Sequence, residues 1–153
     1  NKEKLVRVSR TPGRTQLLNL FMQDNRIAWV DLPGYGYAKL SHAERSRMHT
    51  MSRTYLAQRQ NLNGVLLLVD ARRESVSELD KDMAQWVLSH HRPLLIVATK
   101  ADLVPKNRRM AQLGRIEASL GVPRGGALAC SSRNLEGLDA LRKRIWELVG
   151  TTA

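Results

Sequence analysis

The sequence predicts an α/β fold in which a mostly parallel sheet is covered by helices on both faces. Two observations lead there. The runs Ile27-Ala28-Trp29-Val30, Val65-Leu66-Leu67-Leu68-Val69 and Leu94-Leu95-Ile96-Val97-Ala98 are apolar without interruption, and continuous rather than alternating apolarity belongs to strands buried on both faces. Helical patterns lie between them, so strands and helices alternate along the chain. A third observation concerns where the runs stop: each ends in a polar residue, Asp31, Asp70 or Thr99, and open α/β sheets bind ligands just past the carboxyl ends of their strands.

In chain order, residues 17–22 form an edge strand ahead of the first buried run. Ser41 and Glu44 make a capping box: the hydroxyl accepts an N–H of the first helical turn, the carboxylate reaches back to the N–H of Ser41, and a helix runs from there to residue 60. Residues 77–89 give a second helix with Leu79, Met83, Trp86 and Val87 on one face. A third spans 107–120 and is closed by Gly121, the residue type that most easily turns left-handed at a helix end. Residues 127–131 make a short last strand. Residues 136–149 make a last helix whose apolar face is Leu138, Leu141, Ile145 and Leu148. With no repeat, low-complexity stretch or linker, residues 1–153 read as one domain able to bury its own core.

Lys and Arg number 25 against 14 Asp and Glu, a net charge of +11. The excess is steepest early, since residues 1–60 hold 11 basic and 4 acidic side chains while the remaining 93 hold 14 and 10. Such a field draws a polyanion, RNA foremost, or simply keeps a solvated surface soluble. Cys130 is the only cysteine, which excludes an internal disulfide, argues against a cysteine-based metal cluster and suits a reducing cytoplasm. His90-His91 is no metal pair, because adjacent helical positions point apart. No apolar run approaches the roughly 18 residues needed to span a bilayer, and the charged start Asn1-Lys2-Glu3-Lys4 leads into no signal-peptide core. The expectation is a cytoplasmic monomer with no membrane and no DNA partner.

Four segments carry chemistry. Asp31-Leu32-Pro33-Gly34 follows a buried run; its carboxylate can hold a magnesium-bound water, and Gly34 lets a phosphate approach the backbone. Alone, Pro-Gly after a strand is an ordinary turn. Thr99-Lys100-Ala101-Asp102 follows another run. There a carboxylate can accept both the ring N–H and the exocyclic amine of guanine, a pair adenine lacks, while the Lys100 stem packs along the base. The plainer alternative is an Asp that caps the next helix. Cys130-Ser131-Ser132-Arg133 follows the short last strand, where backbone N–H groups can donate to guanine O6. Thr11-Pro12-Gly13-Arg14-Thr15-Gln16 precedes the edge strand; it is a switch whose Thr hydroxyl completes a magnesium shell, or merely a turn. The order of these segments, at successive strand ends of one sheet, makes a common nucleotide site the better reading.

This succession, with the longer strings Asp31-Leu32-Pro33-Gly34-Tyr35-Gly36-Tyr37-Ala38 and Val69-Asp70-Ala71-Arg72-Arg73, closely resembles the EngB (YihA/YsxC) bacterial GTPases over residues 5–149. The resemblance implies a Ras-like P-loop fold that binds GTP or GDP with Mg2+. It makes Thr15 the switch-one magnesium ligand and lays Gly13, Arg14, Thr15, Gln16 and Leu17 along the nucleotide. Asp31, Leu32, Pro33 and Gly34 become the phosphate and magnesium sensor. Thr99, Lys100, Ala101 and Asp102 read guanine, with Cys130, Ser131 and Ser132 as the second guanine-contacting loop. It further implies slow GTP hydrolysis serving late assembly of the large ribosomal subunit through contact with ribosomal RNA, on which growth and division septum formation depend.

Two departures bear on that transfer. The sequence holds no Gly-x-x-x-x-Gly-Lys-Ser/Thr, so the phosphate cradle is absent from it. A sheet without its first, central strand would leave apolar faces and backbone groups unpaired; the expectation is that an upstream segment supplies strand, loop and first helix, with residues 1–4 just after that helix. Tyr35 stands where Ras-like enzymes carry the Gln that orients the attacking water. The family shares this substitution, so weak intrinsic turnover is expected and no residue of the chain is assigned as catalytic. From Tyr35 onward, Lys39, Arg45, Arg47, Arg53 and Arg59 interleave with Tyr37 and Tyr55, which suits RNA through phosphate neutralisation and stacking or amounts to a solvated basic face. The alternative to a GTPase is a non-hydrolysing RNA- or ribosome-binding module on the same fold.

Overall fold

A computed structural model describes residues 19–23, 26–32 and 41–150, with the side chain of Arg45 excepted. The chain divides into two compact units, Asn1–Gln60 and Asn61–Ala153.

In the first unit, β1 (Asn19–Gln23) pairs antiparallel with β2 (Ile27–Asp31), in a register that sets Asn19 opposite Asp31 and Gln23 opposite Ile27. The hairpin is fastened at its turn, where the Arg26 N–H donates to the Gln23 carbonyl at 2.9 Å and the Trp29 indole N–H donates to the Gln23 side chain at 2.9 Å. Helix α1 (His42–Gln58) starts at the expected capping box: Glu44 N–H donates to Ser41 Oγ at 3.2 Å, and Ser41 N–H donates to the Glu44 carboxylate at 2.8 Å. Met48, Ser52 and Leu56, four residues apart, form its buried stripe. Arg59, just past the helix, lies over the Tyr55 ring at 5.9 Å, a cation–π contact.

The second unit is a three-stranded parallel sheet in the order β3 (Val65–Asp70), β4 (Leu94–Thr99), β5 (Ala127–Ala129). Helix α2 (Glu78–Ser89) links β3 to β4 and α3 (Lys106–Leu120) links β4 to β5. Parallel strands need such crossovers. Ser77 caps α2, its Oγ accepting the Asp80 N–H at 3.1 Å, and Gly121 closes α3 at φ 69°. Helix α4 (Leu138–Leu148) packs on the other face of the sheet, where Leu138, Leu141, Ile145 and Leu148 meet Leu95, Val97 and Cys130. The alternate β4 residues Ile96 and Ala98 point the opposite way, toward the side of α2 and α3. Helices therefore cover both faces of β4, whose Leu95, Ile96, Val97 and Ala98 are at most 3% exposed. Burial of Leu95, Ile96 and Val97 contributes about 1.5–3 kcal/mol each.

Among the described residues β1 and β2 form an antiparallel pair and β3, β4 and β5 the parallel sheet, so continuous apolarity does not by itself tell parallel from antiparallel pairing. Continuous apolarity also overstates the cover on β3. That strand is an edge of its described sheet, with Val65, Leu67 and Val69 buried but Leu68 63% exposed. The strand pattern is otherwise close, though the last strand stops at Ala129 rather than residue 131 and α4 begins at Leu138 rather than 136. Among the described residues no helix is long and apolar enough to cross a membrane.

Candidate functional site

Because β3, β4 and β5 run parallel, their carboxyl ends share one edge. Asp70 stands opposite Thr99 there, and Cys130 follows β5 directly. The Thr99 hydroxyl donates to the Val69 carbonyl at 2.9 Å, and the Ala71 N–H donates to the Thr99 carbonyl at 2.9 Å, which holds the two strand ends in register.

The chain leaves β4 through Lys100, at φ 58° and ψ 33°. A left-handed conformation in a residue with a Cβ costs about 1 kcal/mol and collects at functional sites. It turns the backbone into a 3-10 turn (Ala101–Leu103), carrying Asp102 partly buried at the edge of the sheet. The Lys100 Nζ reaches Asp70 at 2.8 Å, and Arg72 grips the same carboxylate with its Nε at 2.9 Å and a terminal nitrogen at 2.6 Å. Arg72 first, and Lys100 after it, hold the Asp70 carboxyl well below its ordinary range, against the opposing effect of its burial. Asp102 differs. No donor among the described residues hydrogen-bonds its carboxylate. Nor does it cap α3, whose N-cap is Pro105 and which has no side-chain cap. The plain alternative for Asp102 is thereby removed and its acceptors are left available.

The second loop is tied to the first by backbone. Cys130 N–H donates to the Ala98 carbonyl at 2.9 Å and Ala101 N–H donates to the Cys130 carbonyl at 3.1 Å. Ser131 is buried; its N–H donates to the Glu136 carbonyl at 2.9 Å, and its Oγ accepts N–H groups from Arg133 at 3.1 Å and Asn134 at 3.5 Å. These bonds use the N–H groups of Cys130, Ser131, Arg133 and Asn134. The one at Ser132, in an exposed turn, has no acceptor among the described residues. Cys130 itself is buried beneath, its thiol pushed up by burial. Gly137 then carries the chain into α4 at φ 77°; a Cβ there would overlap the Ala129 carbonyl oxygen, so only glycine fits.

The edge thus offers a carboxylate from one loop and an N–H from the other, a pattern complementary to a ligand with two adjacent donors beside an acceptor. The "Probable GTP-binding protein EngB" of Geobacter metallireducens is 43% identical over 145 residues, spanning 95% of this chain and 71% of that protein. The chain belongs to the EngB family. The model of the 50S ribosome-binding GTPase family matches residues 1–100. Among solved structures, a probable GTP-binding protein EngB superposes with a TM-score of 0.79 at 17% identity, covering 94% of this chain and 85% of that one. Era in complex with MgGDPNP and a segment of 16S ribosomal RNA superposes at 0.68 and 21% identity, over 95% of this chain and 48% of Era. The fold is that of a Ras-like G domain.

Thr99, Lys100, Ala101, Asp102, Cys130, Ser131 and Ser132 are all brought to one edge of the second unit. Asp31, at the end of β2 in the first unit, is exposed, and Leu32 after it is half-buried. Gly13, Arg14, Thr15, Gln16, Leu17, Pro33 and Gly34 lie outside the described residues, as do Tyr35, Tyr37 and Lys39. Sequence reasoning passed over four residues that shape the site: Asp70, Arg109, Glu136 and Gly137. Asp70 had a signal, as the polar end of a buried run. Gly137 had a weaker one, a glycine just ahead of a helical face. Arg109 and Glu136 had none, since their pairing joins positions far apart in sequence.

Proposed function

We propose that the chain is the base-reading part of a GTP- and GDP-binding protein, and that in the whole protein it serves slow GTP hydrolysis during late assembly of the large ribosomal subunit, with growth and septum formation depending on it. The observation that carries this is the pair of groups at the sheet edge. Asp102, free of any capping role, accepts the N1 and N2 hydrogens of guanine, and the Ser132 N–H donates to O6. Lys100, held between its left-handed backbone and Asp70, lays its aliphatic stem over the base. Adenine presents the reverse pattern at these positions and leaves both loops unpaired, which makes selectivity large.

Magnesium fits the residues of the chain by the chemistry of its donors. Asp31 is a hard oxygen donor, exposed at a strand end, with no described hydrogen-bond partner, and such oxygens are what the ion takes. Asp31 would hold it through water and Thr15 through its hydroxyl, and the ion would neutralise phosphate charge. The sensor Asp31 to Gly34 and the loop Gly13 to Leu17 would order with the nucleotide and expose the ribosome-binding surface. The family description as a 50S ribosome-binding GTPase, the Era structure with ribosomal RNA and the net charge of +11 support ribosomal RNA as the partner.

The test is nucleotide competition followed by sedimentation. The full-length protein is expected to bind GDP and GTP at least about a hundredfold more tightly than ADP and ATP, and to co-sediment with large ribosomal subunits more with GTP than with GDP. Equal affinity for the two bases would overturn the base-reading assignment. Sedimentation indifferent to nucleotide would favour a ribosome-binding module that does not cycle.

A further inference from the structure

Helix α3 has no side-chain cap at its start, yet its first turns are fastened to both base-facing loops through one residue. Arg109 donates from Nε to the Val104 carbonyl at 2.9 Å and pairs through a terminal nitrogen with Glu136. Each of these partners is one hydrogen bond from a loop already described. Val104 closes the Ala101–Leu103 turn by donating its N–H to the Ala101 carbonyl at 3.1 Å, and the Glu136 carbonyl accepts the Ser131 N–H at 2.9 Å. Burial of its cation sets this ion pair apart. The Arg109 side chain is 16% exposed, whereas the cations of the other described pairs are 37–71% exposed. Ion pairs between exposed side chains contribute little, but a guanidinium largely withdrawn from water and also bonded to a backbone carbonyl is held in one geometry, although the Glu136 side chain it meets is 38% exposed.

We infer that Arg109 is a positioning residue that holds the two loops at a fixed separation and thereby sets guanine selectivity. The inference rests on the base-reading assignment above. A planar guanidinium can serve a carbonyl and a carboxylate in different directions at once, which a lysine ammonium on a flexible stem does poorly. Without the brace, Asp102 and the Ser132 N–H remain in the sequence but lose their mutual spacing. Recognition by several groups at once depends on that spacing.

The experiment measures GDP and IDP affinity in the full-length protein and in R109A, R109K, E136A, E136Q and R109A/E136A. IDP lacks the exocyclic amine, so the GDP-to-IDP ratio reports how well Asp102 is placed, while a general loosening weakens both ligands together. R109A and E136A are each expected to weaken GDP about tenfold and to shrink the ratio, with the double variant no worse than the weaker single, as for two halves of one interaction. R109K should follow R109A; E136Q, which keeps an acceptor, should stay near wild type. Should R109A fail to fold, E136A on its exposed loop carries the same test. A ratio unchanged in both single variants, or additive losses in the double, overturns the brace. A wild type that binds GDP and IDP alike overturns the base-reading assignment, and the brace falls with it.

Discussion

In the loop after β4 the group left without a described hydrogen-bond partner, and proposed above to meet guanine, is a side chain, the Asp102 carboxylate; in the loop after β5 it is a backbone N–H, that of Ser132. The first loop depends on which residue stands at one position. The second depends on the path of the chain, set by a buried serine that collects two N–H groups and by a glycine pressed against a strand. Side-chain recognition is therefore open to change by one conservative substitution at the contact, whereas backbone recognition survives side-chain replacement there and is altered by proline or by changing residues that set the path of the chain.

The largest break should come from the backbone side. Gly137→Ala sets a Cβ into the Ala129 carbonyl at positive φ, and is expected to cost about 3 kcal/mol or more of stability. A denaturant melt measures it, and a midpoint equal to wild type would mean the loop has another path. Next is Asp102→Asn. One acceptor becomes a donor, GTP should weaken by about 2 kcal/mol or more, and xanthosine triphosphate should gain. Competition binding distinguishes this from general damage, because only a base reader exchanges one preference for another.

Asp70→Asn tests the support beneath the first loop. Its carboxyl is depressed in the folded state, so its contribution is fully present above the ordinary value of 3.8 and is lost as pH falls below that toward the folded value. Both cations are about half exposed, so at neutral pH the change should cost only about 1 kcal/mol. The variant should also lose less stability than wild type between about pH 4 and pH 2. Parallel pH curves for the two proteins would remove Asp70 from the account. The smallest effect is expected at Ser132→Ala, which keeps the N–H and should leave GDP affinity within about 0.5 kcal/mol. Ser132→Pro, which removes that N–H, should weaken GDP by about 1 kcal/mol or more. Equal outcomes for the two substitutions would show that the backbone donor is not used.

The same contrast explains what could be read before any coordinates. Capping boxes, helix faces and the run Leu94-Leu95-Ile96-Val97-Ala98 follow from local chemistry, and α1, α2, α3 and β4 lie within two residues of where periodicity sets them. Asp102 stood out only through the order of the segments along the chain, since locally a carboxylate ahead of a helix can as well be a cap; the structure adds that it does not cap α3. Leu68 was misread because an apolar residue on an edge strand carries the same letter as one in a core. The Arg109–Glu136 pair and the spent N–H groups of Cys130 and Ser131 were invisible, since they arise only when the sheet brings distant segments together.

The single cysteine has a practical side. Cys130 is buried at 4% exposure, and its thiol is raised by that burial, so little reactive thiolate reaches solvent. A cysteine introduced at exposed Arg133 would then be the thiol of this chain that alkylating dyes find, which puts a fluorescent label beside the second loop without first removing Cys130.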